Sequence, residues 1–155
     1  MYRKQLQILK LTNKIPDLKR ETIKSAGIDL YANLEEAITI NPFERVLIST
    51  GIKALAPSGF HLEIRPRSGL AIKHGITVLN SPGTIDEDYK DEIKVILINL
   101  SMEPYILNPL DRIAQMVLVP VSYIQPTFVT EQTFEQNFMS DEMNSRNGGF
   151  GSTGK

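Results

Sequence analysis

The chain has 155 residues, with 17 Lys and Arg against 18 Asp and Glu and a net charge of -1. That length suits one domain with a single core, and the charge excludes the basic surface expected of a binder of polymeric nucleic acid. There is no cysteine, which removes disulfides, thiolate metal centres and cysteine nucleophiles and fits a reducing, cytoplasmic compartment.

Met1 to Lys10 alternates charged and apolar residues without a continuous apolar core, so no signal peptide is expected. Apolar runs such as Val95 to Ile98 are far too short to cross a membrane. Pro or Gly recurs at roughly ten-residue spacing between short stretches rich in Ile, Val, Leu, Phe and Tyr, the rhythm of an all-β domain. Strands are expected near 5–11, 27–32, 36–40, 43–49, 51–56, 59–65, 76–80, 93–100, 104–107, 112–121 and 123–129. Alternation is clearest from Phe60 to Arg65, with Phe60, Leu62 and Ile64 on one face and His61, Glu63 and Arg65 on the other. Only Ser68 to His74 suits a helical turn. After Pro126 the composition turns to Thr, Gln, Glu, Asn and Ser. The expected organisation is a β-barrel domain over 1–126, followed by a polar strap and glycine-rich arm over 127–155.

Three segments carry chemistry. In Arg65-Pro66-Arg67-Ser68-Gly69-Leu70-Ala71, the Arg67 guanidinium, Ser68 hydroxyl and bare Gly69 backbone suit a cluster of phosphate oxygens; a solvated turn with ordinary surface arginines is the competing reading. Asn80-Ser81-Pro82-Gly83-Thr84-Ile85-Asp86-Glu87-Asp88-Tyr89 is turn-rich and acidic, and Asp86 beside Ile85 can be held rigidly enough to position a water. Acidic turns are otherwise solvated hairpin caps. Gly149 to Lys155 matches the spacing Gly-x-Gly-x-x-Gly, but no helix follows to receive a phosphate, so the phosphate-loop motifs are rejected. What remains there is a set of unhindered N–H groups, two hydroxyls, cations at Arg146 and Lys155, and one aromatic ring, Phe150. A plain polar terminus is the simpler alternative. His61 and His74 have no second histidine at metal-ligand spacing and read as surface residues. Asp111-Arg112 reads as a strand-entry ion pair of little energetic weight.

Together these segments resemble the trimeric deoxyuridine triphosphatases. The resemblance spans nearly the whole chain through ordered motifs: Ala26-Gly27-Ile28-Asp29-Leu30-Tyr31-Ala32, Pro66 to Ala71, Gly83 to Tyr89, Asp111-Arg112-Ile113-Ala114-Gln115, and the Gly148 to Gly154 tail. It implies a jelly-roll-like β-barrel forming a homotrimer whose active sites are shared between chains. The implied reaction is Mg2+-assisted hydrolysis of dUTP to dUMP and pyrophosphate, keeping uracil out of DNA and supplying dUMP for thymidylate synthesis. By the same resemblance, the hairpin through Gly83, Thr84 and Ile85 would hold uracil with Asn80 and the Lys94 main chain, and Tyr89 would pack on the sugar. Arg67, Ser68, Gly69 and Gln115 would take the phosphates, and Asp29 would reach the magnesium shell through water. Arg146, Phe150, Gly151 and Ser152 of the tail would close the site, Phe150 over uracil and Arg146 at the γ-phosphate.

Asp86 would orient the attacking water. A carboxylate is a weak base, so magnesium and arginines must carry the electrostatic part. The chain departs from the family at Leu110 and Asp91, where glycine is usual, and the Arg146–Gly149 link is one residue short, removing up to ~3.5 Å of reach. Two alternatives are a dCTP deaminase-like enzyme of the same fold, against which Gly69 speaks, and a non-catalytic nucleotide-sensing β-barrel.

Overall fold

A computed structural model of the protein describes residues 5–139. The chain divides into two compact units, Met1–Ser122 and Tyr123–Lys155. In the first, eleven strands lie in chain order: β1 (Gln7–Lys10), β2 (Gly27–Tyr31), β3 (Ile38–Ile40), β4 (Arg45–Ser49), β5 (Ile52–Leu55), β6 (Phe60–Arg65), β7 (Ile76–Val78), β8 (Gly83–Ile85), β9 (Lys94–Asn99), β10 (Tyr105–Leu107) and β11 (Arg112–Pro120), with one short helix, α1 (Ser68–His74), between β6 and β7. They pair antiparallel in four sheets: β1-β5, β10-β3, β2-β11-β6-β8 and β4-β9-β7. The all-β, jelly-roll-like expectation holds.

Side-chain alternation explains the core. Leu62 and Ile64 of β6 are buried, while His61 and Glu63 lie on the other face beside exposed Arg65. On that outer face Arg65 hydrogen-bonds Glu63 and holds its carboxyl below the usual carboxylate range, and His61 Nε2 lies 3.4 Å from Glu63. The inner faces of β2, β3, β5, β9 and β11 supply Leu30, Ile40, Ile52, Val95, Leu97, Ile113 and Met116 to one continuous core. His74 ends α1 with its ring 5.1 Å from that of Tyr105, so both histidines have structural partners.

One polar residue breaks the apolar pattern. Asn99, with 0% exposure, donates through Nδ2 to the carbonyls of Ile40 (3.0 Å) and Glu103 (2.8 Å). Its Oδ1 accepts from Ser101 N–H (2.9 Å) and Ser101 Oγ (2.8 Å). The side chain thus ties β3, the end of β9 and the turn before β10 together where no continuous ladder does.

Three expectations change. Gly83–Ile85 is a strand, paired to the edge of β6 through Leu62–Ile85, Glu63–Thr84 and Ile64–Gly83, although it is too short to show periodicity in sequence. Residues 123–129 are not a strand, and Pro126 among them lacks a ladder N–H. In the second unit the polar strap contains a helix, α2 (Glu131–Met139). Its start is explained by Thr130, whose carbonyl accepts from Phe134 N–H (2.9 Å) and whose Oγ1 lies 3.3 Å from Thr133 N, with Glu131 suitably charged in the first turn.

Of the two positions where the family usually has glycine, Leu110 has φ 64 and Asp91 is not among the non-glycine residues with positive φ. The Leu110 conformation is imposed by neighbours: its N–H donates to Ala32 O at 2.9 Å, and Asn108 N–H donates to Asp111 Oδ2 at 2.8 Å. A left-handed L-residue costs about 1–2 kcal/mol, partly offset by the larger entropy loss of glycine on folding. Leu110→Gly is expected to stabilise the protein by about 0.5–1 kcal/mol, raising Tm by ~2 °C in a thermal melt; a fall in Tm would show that the Leu110 side chain contributes more than its backbone loses.

Candidate active site

Two groups of candidate residues gather at opposite edges of the β2-β11-β6-β8 sheet. At the β2 edge Asp29 stands opposite Gln115, which stands opposite Arg65 across β11, so the three share one face. In a regular strand Arg112, three residues before Gln115, would point to the other face. A bulge prevents this. The register shifts between Arg112 and Ala114, so Arg112 pairs with Tyr31 while Ala114 pairs with Leu30. The extra residue, Ile113, is buried, and Arg112 returns to the face that carries Asp29.

The result is a linked charge cluster. Arg112 Nη1 donates to Asp29 Oδ2 (3.1 Å) and to Glu21 Oε1 (2.9 Å). Arg67 Nε lies 3.3 Å from Asp29 Oδ1, and its Nη1 donates to the Arg112 carbonyl at 3.1 Å. Each Asp29 oxygen therefore meets one guanidinium. Gln115 Nε2 donates to Pro66 O at 3.0 Å, directly before Arg67. Gly27 makes room for this, since a Cβ there would sit 2.3 Å from Gln115 Oε1. Ser68 and Gly69 open α1, both exposed, with nothing within 4 Å of a Cβ built on Gly69. Asp111 does not form the expected pair with Arg112: its carboxylate caps the turn at Asn108, and Arg112 serves Asp29 and Glu21 instead.

Among the described residues no group of three or more His, Cys, Asp or Glu could hold a metal by itself. Magnesium is commonly held by one or two carboxylates together with waters and substrate phosphates, and each Asp29 oxygen keeps acceptor capacity beyond its one guanidinium. The donor set fits a magnesium ion carried by phosphates and reached through water.

The second group lies beyond the other edge. β8 extends the sheet as far as Ile85, and Asp86 follows it, exposed. Before β8, the Asn80 side chain lies over Gly83, where a Cβ would be 3.3 Å from Asn80 Nδ2 and 3.4 Å from Ile64 Cβ. The Ser81-Pro82 bond between them is cis. Tyr89 is 37% exposed; its N–H donates to Asp86 O at 3.1 Å and its hydroxyl to Glu92 O at 3.0 Å. Lys94 begins β9 opposite Ser49. The fold thus places Asn80, Gly83, Thr84, Ile85, Asp86 and Tyr89 on β8 and its flanking loops, and Asp29, Arg67, Ser68, Gly69 and Gln115 around one turn and strand edge. Arg146, Phe150, Gly151 and Ser152 lie outside the described residues. Sequence reasoning missed Arg112 and Glu21 as members of the Asp29 cluster; their only signal was charge, and only the bulge aims it.

The antiparallel sheets and their two edge clusters define a jelly-roll-like all-β protein. Its sequence matches the dUTPase family profile over residues 13–154. It is 53% identical over 134 residues to the deoxyuridine 5'-triphosphate nucleotidohydrolase of Wolbachia pipientis subsp. Culex pipiens, covering 86% of this chain and 84% of that one. It is 56% identical over 130 residues to the protein of the same name from Chlamydia pneumoniae, covering 84% and 85%. Among solved structures, the dUTPase of Streptococcus mutans superposes with TM-score 0.67 at 27% identity, covering 78% of this chain and 98% of that one. The dUTPase of phage phi11 of S. aureus, whose structure is described in terms of a coordinated structural Mg(II) ion, shares the fold with TM-score 0.74 at 22% identity, covering 82% and 97%. The chain belongs to the dUTPase family.

Proposed function

We propose that the protein hydrolyses dUTP to dUMP and pyrophosphate, with Asp86 orienting a water for in-line attack on the α-phosphorus. The observation that carries this reading is the pairing of Gly83–Ile85 to β6, which anchors the 80–89 segment while leaving Asp86 exposed at the end of β8. The backbone around Gly83, with Asn80 and the Lys94 main chain, holds uracil in place of a base-pairing partner, and Tyr89 closes on the sugar. Arg67, Ser68, Gly69 and Gln115 take the triphosphate. A magnesium ion held by that triphosphate would supply charge neutralisation, with Asp29 as the residue that would reach it through water. Phe150, Gly151, Ser152 and Arg146 of the arm over 127–155 cover the base and reach the γ-phosphate, with Lys155 as a second cation for that end. We place the enzyme in the cytoplasm; among the described residues no helix is long and apolar enough to cross a membrane.

The reading includes a homotrimer with sites shared between chains. Asp29 and the uracil-holding segment lie on the two outer strands of a four-stranded sheet. Three strand spacings of ~4.8 Å separate them by about 14 Å across the sheet, and the register adds about four residues, or ~13 Å, along it. Reacting groups must approach to about 3–3.5 Å. In this reading the phosphate set of one chain serves the uracil-holding segment of another.

The direct test is pyrophosphate release from dUTP, dTTP, dCTP and UTP with and without magnesium. Magnesium-dependent preference for dUTP is the expected result; ammonia release from dCTP, or binding without turnover, would replace the reading with a deaminase or a nucleotide sensor. A second prediction concerns the phosphate end. Gly27→Ala drives Gln115 off Pro66 O, because the new Cβ occupies its Oε1 position. KM for dUTP is expected to rise roughly tenfold, as for loss of a hydrogen bond to a charged group, with Tm changed by only a few degrees. An unchanged KM would show that Gln115 does not contact the substrate.

A further inference from the structure

The loop from Asp86 to Glu92 is held to the barrel by two carboxylates. At its start, Glu87 Oε2 accepts Gly59 N–H at 2.8 Å, and Ser58 Oγ lies 3.4 Å from Glu87 Oε1. At its end, Glu92 Oε1 accepts Gly51 N–H at 2.8 Å. Gly51 precedes β5 and Gly59 precedes β6, and both adopt the left-handed region, with φ 69 and φ 80. That conformation orients their N–H groups away from the strand ladder and toward the loop. Each clamp also lies next to a different residue of the proposed site. Glu87 is the immediate neighbour of Asp86. The Glu92 carbonyl accepts the Tyr89 hydroxyl at 3.0 Å.

The barrel side of each anchor is itself fixed. Gly59 O accepts Val121 N–H at 2.9 Å, and Gly51 O accepts Leu11 N–H at 2.8 Å. Gly51 has no room for a side chain, since a Cβ would lie 2.8 Å from Ile15 Cγ1. Next to Glu92, Ile93 N–H donates to Ile52 O at 3.0 Å, and Thr50 Oγ1 donates to Ile93 O at 2.6 Å. The two carboxylates therefore transmit the positions of two strand starts, β5 and β6, to opposite ends of an otherwise exposed loop.

We propose that Glu87 and Glu92 are positioning residues with separable effects: Glu87 sets the water-orienting carboxylate of Asp86, and Glu92 sets the Tyr89 ring that tests the sugar. The inference rests on the dUTP hydrolysis proposed above. Loss of the Glu87 anchor lets Asp86 drift from its water, a misplacement that lowers turnover without altering which sugar fits. Loss of the Glu92 anchor loosens the Asp91–Glu92 end of the loop about the Ile93 N–H to Ile52 O bond, which still holds the Glu92 carbonyl; Tyr89 keeps a shifted hydroxyl partner, and its ring can then yield to a 2'-hydroxyl.

The test compares kcat and KM for dUTP and UTP, by pyrophosphate release with magnesium, in the full chain and in Glu87→Ala, Glu87→Gln, Glu92→Ala and Glu92→Gln. Glu87→Ala is expected to lower kcat about tenfold or more while the dUTP/UTP ratio of kcat/KM stays within about twofold. Glu92→Ala is expected to lower that ratio about tenfold. The Gln variants, whose amide oxygen can still accept the glycine N–H, should return each quantity to within about threefold of the parent. Should an alanine variant not fold, Glu87→Asp and Glu92→Asp, one methylene shorter, carry the same comparison. Equal proportional changes in kcat and ratio for the two positions, or no change at either, would overturn the inference. A parent protein without preference for dUTP would instead overturn the proposed function itself.

Discussion

Asp86→Asn is expected to bind dUTP with near-parent affinity and to lose roughly 10²-fold or more in turnover. The substitution keeps size and hydrogen-bonding capacity but replaces an acceptor-only carboxylate with an amide that cannot take a proton. Asp86 is exposed and follows a paired strand, so the exchange leaves the fold intact. An exposed substitution of this kind is expected to change stability by no more than about 0.5 kcal/mol. Calorimetric binding of a non-hydrolysable dUTP analogue, set against steady-state pyrophosphate release, separates the two effects. If turnover stayed near normal, the water would be oriented by another group and Asp86 would leave the mechanism.

Asn99→Ala is the substitution expected to damage the fold most. Its side chain makes four hydrogen bonds from a site with no solvent access, two of them to the carbonyls of Ile40 and Glu103. Truncation leaves the Ile40 carbonyl without that donor inside the core and opens a cavity where the amide was. A stranded buried polar group costs ~1–3 kcal/mol, and with the cavity the loss should reach about 3–5 kcal/mol. That is a large share of the ~5–15 kcal/mol by which domains are stable, and a Tm decrease of about 10 °C is expected. Asn99→Asp is an informative partner. It retains the acceptors for Ser101 but turns the donor end into an oxygen facing two carbonyls, so it should destabilise at least as much. Melts of both variants within 2 °C of the parent would show that the Asn99 network is dispensable.

Glu87 and Glu92 place these effects in one picture. Asn99 and the apolar core determine whether the barrel forms, whereas the loop anchors determine how accurately a formed barrel presents Asp86 and Tyr89.

Much of this was legible in the chain itself. Wherever a strand is long enough to show its period, as from Phe60 to Arg65 or in the run from Lys94, alternate apolar residues announce both the strand and its inward face, because the pleat turns each successive side chain to the opposite side. The chemistry of the motifs was equally local: arginine beside Ser-Gly, and a carboxylate and a tyrosine after Gly-Thr-Ile, identify themselves by type and spacing. Of the two positions where the family usually has glycine, φ is positive at Leu110 and not at Asp91, so that departure by itself did not locate the special conformation.

Other features depended on partners distant along the chain. The three residues of β8 become a strand only because the β6 edge offers hydrogen bonds. Arg112 meets Asp29, 83 residues away, because one inserted residue at Ile113 returns its side chain to the outer face, and nothing in Asp111-Arg112-Ile113 signals that bulge. Asn99 reads as a polar strand end, yet it is wholly buried, since its partners come from β3 and the following turn. Composition and periodicity thus determined the fold class, and the ordered motifs, through their resemblance to the deoxyuridine triphosphatases, the kind of chemistry. Register, the bulge and the cross-strand anchors were decided only by tertiary structure, because each is set by the position of a second strand rather than by the residues that carry it.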